Sequence, residues 1–191
     1  MKIESTSGIN TFYHASTERY EADSTIGPIP HEEMVHHVGR CLGDDHRAHA
    51  EQVLEDSRPA ETIGRHRAIF LFGKAEHCLT YGDKEFGHIN YYIYHVKVAN
   101  TLSGMPMPLA DRLYRYLQRE HDAGVAELMA QEYWRPQRKW CFLEYLCESC
   151  VAVERTERVN AGINEVLSYI AHSCFAADLA RCDRLHGRLQ E

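Results

Sequence analysis

No run of about 18 apolar residues, the length a membrane-crossing helix needs, occurs anywhere in the 191-residue chain. The opening residues Met1-Lys2-Ile3-Glu4-Ser5-Thr6-Ser7 also lack the apolar segment of a secretory signal. Positive charge is in deficit: 21 basic residues stand against 28 acidic ones, a formal charge of −7. That balance excludes the global basic field that drives non-specific DNA binding. A local basic patch remains around Arg135, Arg138 and Lys139. Walker A, GxGxxG, GxSxG and kinase signatures are missing, so phosphate-loop and common hydrolase classes have no support. There is no internal repeat, no low-complexity tract and no linker.

What is present is ordinary for a globular chain: 44% hydrophobic and 26% charged residues, enough length for one domain with a full core. Seven cysteines, an odd number without an export signal, read as reduced thiols and point to the cytoplasm.

The apolar pattern gives a first strand over Ile9 to Ala15 and a turn-rich stretch to Pro30. A polar, histidine-rich helical layer follows, with one helix starting after Pro30 and a second after Asp44-Asp45, ending before Pro59. Contiguous Ile69, Phe70, Leu71 and Phe72, bounded by Gly73, read as a buried strand, followed by a short helix over 75–81. Ile89 to Val98 alternates with bulk on both faces, which predicts an interior strand. Residues 100–108 read as a loop. Pro108 suits a helix's first turn, and Leu109, Leu113, Tyr116 and Leu117 form that helix's apolar stripe. Val125, Leu128, Met129 and Tyr133 mark another helix. Two short strands follow at 141–147 and 150–154, then a helical tail from Val159 to Leu189. The expected fold class is α+β, with domain limits at 1–157 and a C-terminal helical extension at 158–191.

Three segments carry the chemistry. They are Phe12-Tyr13-His14-Ala15-Ser16, the aromatic run Ile69-Phe70-Leu71-Phe72 continuing to Ala75, Tyr81 and Gly82, and Leu143-Glu144-Tyr145-Leu146. Glu144 stands out because a carboxylate among apolar neighbours must find partners or a function. Taken in order over roughly residues 9–155, the segments resemble the NAD-binding framework of ADP-ribosyltransferases. The first resembles the opening of rifampin-type enzymes, and the second, with Tyr92-Ile93-Tyr94-His95-Val96-Lys97-Val98, the middle of small phage and bacterial ones. The third is similar to the acid-bearing strand of the histidine-tyrosine-glutamate branch. That branch carries a tyrosine in its second motif; this chain has Phe72, with Tyr81 a helix later.

The resemblance implies a split, mixed β-sheet with flanking helices and NAD as the cofactor. It assigns His14 to a ribose hydroxyl, the backbone at Ala15 and Ser16 to the nicotinamide amide, Phe72 or Tyr81 to ring stacking, and Glu144 to catalysis. The implied activity is mono-ADP-ribosyl transfer to a protein or nucleic-acid acceptor by a bacterial or phage toxin or effector, acting in its own or a target cell's cytoplasm.

Other constellations have plainer readings. Cys147-Glu148-Ser149-Cys150 with Cys182 and His186 has the donors of a zinc site, but small buried thiols are the simpler account. No metal site is assigned. His31, His36, His37, His46 and His49 read as solvated helix faces. Tyr133-Trp134-Arg135-Pro136-Gln137-Arg138-Lys139-Trp140 mixes aromatic and basic residues as single-strand binders do; helix closure with hydrated charges explains it as well. The alternative function is a non-catalytic interaction protein with a transferase-like sheet, binding a protein partner through its C-terminal helices or a Cys/His zinc site.

Overall fold

Aromatic and β-branched residues alternating over Tyr91–Val98 leave neither face of that segment to water, so it must lie inside a sheet. The computed structural model places it there. It describes residues 10–27, 45–86, 90–99, 102–120, 122–137, 139–159 and 177–178. In chain order the elements are β1 (Asn10–Ser16), β2 (Thr25–Ile26), α1 (Asp45–Asp56), a 3-10 turn (Arg65–Arg67), β3 (Ile69–Phe72), α2 (Ala75–Phe86) and β4 (Tyr91–Val98). They continue with β5 (Gly104–Pro106), α3 (Met107–Leu117), α4 (Ala123–Trp134), β6 (Leu143–Cys147) and β7 (Cys150–Val159). The protein is α+β. Its seven strands run in the order β2-β7-β4-β1-β3-β6-β5, and each recorded pairing is antiparallel. The expected mixed sheet is thereby corrected to an antiparallel one.

The sheet cannot be flat. Only Glu148 and Ser149 join β6 to β7, yet β3, β1 and β4 lie between those strands in the sheet order. Four strand spacings of a flat sheet cover about 19 Å, whereas three peptide steps reach at most about 11 Å. The sheet therefore folds over on itself, bringing β6 and β7 end to end. The apolar cluster inside the fold has this composition: Ile69, Leu71 and Cys147 from one half meet Phe12, Tyr94, Val96, Cys150 and Ala152 from the other. The seam lies between β1 and β3, which share the single recorded register pair Tyr13↔Phe72, against seven for β1 with β4.

The outer faces carry the helices. α1, α3 and α4 cover β3, β5 and β6 through Leu54, Leu109, Leu113, Met129, Tyr133 and Leu146. α2 covers the seam through Cys78 and Leu79 against Ala15, Phe72, Tyr91 and Ile93. Several boundaries move. β5 forms within the expected 100–108 loop, because Gly104–Pro106 completes the edge beside β6. α2 runs to Phe86 rather than 81. Leu128, expected in the stripe of α4, is 45% exposed. Ala50 and Leu54 of α1 are core residues, so this helix is not merely a surface layer. β7 extends to Val159 and pairs Arg158 with Tyr92, so the expected boundary at 157/158 cuts a strand.

From the tail, residues 177–178 are described, and Asp178 is completely buried. One of its carboxylate oxygens accepts from the backbone amides of Cys141 and Phe142, each at 2.9 Å. At this point the tail is part of the core and pins the start of β6. Cys182 and His186 lie outside the described residues, as do His31, His36, His37 and the helix expected after Pro30; of the remaining histidines, His49 is exposed on α1.

Two outcomes test this packing. A Cβ on Gly82 would stand 2.3 Å from the Tyr91 ring, so Gly82→Ala is expected to lower stability by about 1–3 kcal/mol in urea unfolding; an unchanged midpoint would refute the α2–β4 contact. Asp178→Ala removes the acceptor of two amides, one buried and one part-buried, and is expected to cost about 1.5–3 kcal/mol, read in the same way. A neutral result there would mean that the tail does not hold β6.

Candidate functional site

A carboxylate on an apolar strand has to be neutralised where it lies, and Glu144 is only 1% exposed. Its neighbours come from three places. Tyr133, from the last turn of α4, donates its hydroxyl to Glu144 Oε1 at 2.5 Å. Arg65, at the start of the 3-10 turn, donates to the same oxygen and forms the ion pair. Arg65 also donates to the Tyr133 hydroxyl at 2.5 Å. Its other edge grips Glu51 of α1, with Nε to Oε2 at 2.8 Å and the second terminal nitrogen to Oε1 at 3.2 Å. The guanidinium carbon sits 4.9 Å from the Phe70 ring centroid and 5.2 Å from that of Tyr133, within the range of cation–π attraction.

Burial pushes Glu144 above its ordinary value, while the Arg65 charge and the Tyr133 hydroxyl pull it back. Arg65 is likewise opposed by burial, yet the carboxylates of Glu144 and Glu51 hold it well above its ordinary value. Both donors converge on one carboxylate oxygen, an arrangement that favours the charged pair against the effect of burial.

Aromatic rings surround this centre on the same face. Phe72 is the register partner of Glu144. Tyr81 of α2 packs on Phe72, centroids 5.0 Å apart, and stacks on Phe70 at 5.9 Å and 23°. Burial holds the Tyr81 hydroxyl well above its ordinary value. Ala15 joins Phe72 in one apolar cluster, with Tyr81 packed against it. Four expected site residues, Ala15, Phe72, Tyr81 and Glu144, therefore share one side of the sheet.

His14 and Ser16 do not. His14 pairs with Tyr94 and so lies on the inner face, while its neighbour Tyr13 pairs with Phe72 and lies on the outer one with Glu144. The expected arrangement, imidazole and carboxylate facing each other across one cavity, is corrected by this strand parity. His14 serves the seam instead: Nδ1–H donates to the Phe70 carbonyl of β3 at 3.0 Å, a side-chain bond across the gap where the β1–β3 ladder has ended. Ser16 is 3% exposed and its hydroxyl accepts from the Glu18 amide at 3.1 Å. The inner face also bears a cleft of about 250 Å³ lined by Arg19, Tyr20, Glu21, Tyr94, Glu154 and Arg155. Its two arginines are balanced by two glutamates.

Cys147 and Cys150 are buried with free thiols, joined by a thiol hydrogen bond that lowers Cys147 and raises Cys150 from their ordinary values. Among the described residues no group of three or more His, Cys, Asp or Glu is placed to hold a metal ion, and no helix is long and apolar enough to cross a membrane. Neither protein-family models nor curated proteins give a match to this chain.

Arg65, Tyr133 and Glu51 were not legible as site residues. Arg65 lies 79 positions from Glu144, and Tyr133 reads from sequence as an ordinary member of a helix stripe. The one usable signal is the need of Glu144 for a cation. The His14 assignment makes its own prediction. Burial lowers its pKa from the ordinary 6.5, so nitrogen-detected NMR should find a neutral Nδ1–H ring at pH 7 with its titration midpoint below that value. Protonation then favours the unfolded chain, so the stability contributed by neutral His14 is present above pH 6.5 and falls away as pH drops through the lowered value. A midpoint at or above 6.5 would contradict the buried seam.

Proposed function

We propose that the chain is a mono-ADP-ribosyltransferase that uses NAD and modifies a macromolecular acceptor, protein or nucleic acid. The observation that carries this reading is the buried Glu144 carboxylate set beside Phe72 and Tyr81, with Ala15 on the same face. Cleavage of the bond between nicotinamide and ribose C1′ sends its electron pair onto the pyridinium nitrogen. The departing ring leaves as neutral nicotinamide, and positive charge grows on the ribose. A desolvated carboxylate facing that charge stabilises it far more than one in water. Flat aromatic surfaces hold the ring in register for departure. The acceptor then bonds to C1′ from the opposite side and releases its proton to solvent or a base.

His14 has a positioning part in this scheme. By holding β1 against β3 through the Phe70 carbonyl, it fixes Ala15 relative to Phe70 and Phe72. Glu144 has a second duty, since it neutralises Arg65, and replacing it will weaken the fold as well as the chemistry.

Incubating the full chain with labelled NAD and cell lysate should transfer label to a protease- or nuclease-sensitive product. Glu144→Gln is expected to reduce transfer about 100-fold or more and, by removing the buried counter-charge of Arg65 and leaving it only Glu51, to cost about 3–5 kcal/mol of stability. The comparison is therefore made at a temperature where both proteins are folded by circular dichroism. Undiminished transfer by the folded variant, or a wild-type chain that neither labels anything nor gains thermal stability from NAD, would sink the reading.

A further inference from the structure

The side chain of Arg65 occupies more than an ion pair. Its guanidinium is a flat organic cation with Phe70 and Tyr133 rings 4.9 and 5.2 Å from its carbon, a buried carboxylate (Glu144) at one edge and a half-exposed one (Glu51) at the other. Aromatic faces and carboxylates arranged in this way make up a receptor for planar cations. Here the occupant is covalently part of the chain, with a side chain 11% exposed.

The backbone tether is short, and flanking side chains add His66 to Glu55 at 3.5 Å and Arg58 to the Thr62 carbonyl at 2.5 Å. Arg65 opens a three-residue 3-10 turn closed by two backbone bonds, Arg67 to Gly64 at 3.0 Å and Ala68 to Arg65 at 3.2 Å. The backbone bonds of such a turn have poorer geometry than those of an α-helix. Gly64 precedes it in an extended conformation, and Ala60 and Glu61, in the segment leading to it, are exposed.

We infer that the cage of Phe70, Tyr133, Glu51 and Glu144 is a binding site for a planar organic cation, closed in this conformation by the chain's own Arg65 guanidinium, which an incoming ligand displaces. The inference deepens the NAD reading by moving the pyridinium ring from the Phe72 and Tyr81 side of Glu144 to its Phe70 and Tyr133 side, and it rests on that reading only for the identity of the natural ligand, whose ring has the required shape and charge.

The test uses the full chain and Arg65→Ala, with guanidinium and 1-methylnicotinamide as planar cations and urea and nicotinamide as their neutral counterparts, all at low millimolar concentration. Thermal midpoint and tryptophan fluorescence report occupancy, since Trp134 lies edge-on to Tyr133 at 4.9 Å. In Arg65→Ala the cations should bind about tenfold or more tighter than the neutral molecules, and tighter than they bind the wild-type chain. If Arg65→Ala does not fold unaided, the cations but not the neutral molecules should restore its folding. Arg65→Met, which fills the space without charge, should show neither effect. Equal response to cations and neutral counterparts, or no response to either, overturns the inference. Cation binding without any NAD binding to Arg65→Ala upholds the cage and removes NAD as its ligand, so the two readings fail separately.

Discussion

One oxygen atom, Oε1 of Glu144, accepts from both Arg65 and Tyr133, and the outer half of the fold is organised around it. Through that atom β6, the turn before β3 and the end of α4 are joined, and Glu51 extends the set to α1. A carboxylate taken out of water costs several kcal/mol unless its partners are well placed, so the three elements cannot drift apart without exposing an unpaired charge to an apolar core. Hydrophobic packing of α1, α3 and α4 would tolerate small slides of one helix on another. The charged centre does not, and this is how a fold with an otherwise generic apolar layer acquires a single register for its helices.

The inner half obeys a different constraint. Two residues between β6 and β7 oblige the sheet to fold, and folding opens a seam where β1 leaves β3. Backbone groups at such a seam lose their ladder partners and need substitutes. His14 supplies one from β1 to the Phe70 carbonyl. The same carbonyl belongs to the residue whose ring carries the Arg65 guanidinium. Seam and charged centre are thus coupled through Phe70, although His14 and Glu144 stand on opposite faces.

The sequence was most informative where a side chain's environment follows from its immediate neighbours. Glu144 in Phe-Leu-Glu-Tyr-Leu had to be buried and paired, and it is. Bulk on both faces of 89–98 required an interior strand, and β4, Tyr91–Val98, lies between β7 and β1. Contiguous Ile69–Phe72 and the stripe of α3 were equally plain. Illegible were features set by pairing at a distance. β2 and β5 are two and three residues long and exist only because longer strands offer them edges. The face occupied by His14 depends on the register of β1 against β4, which periodicity within β1 does not determine. Nothing local in the sequence marks Arg65, since its partners Glu51 and Glu144 come from other elements.

A closed cage also constrains the proposed chemistry. Any ligand that takes the place of Arg65 competes with a charge already held by two carboxylates and two rings, so its apparent affinity is reduced by the fraction of time the cage stands open. At about 1% open the loss is about 100-fold, a burden that binding energy from the rest of a large ligand can offset. Charge is what a small neutral ring cannot supply. When the guanidinium withdraws, Glu144 is left desolvated, and only an incoming cation or a proton relieves it. Oxidised nicotinamide brings such a charge and its reduced form does not. On the proposed reading, the contact that keeps the fold in register would thereby also filter what enters, exposing the carboxylate only to a substrate that can replace the cation it displaces.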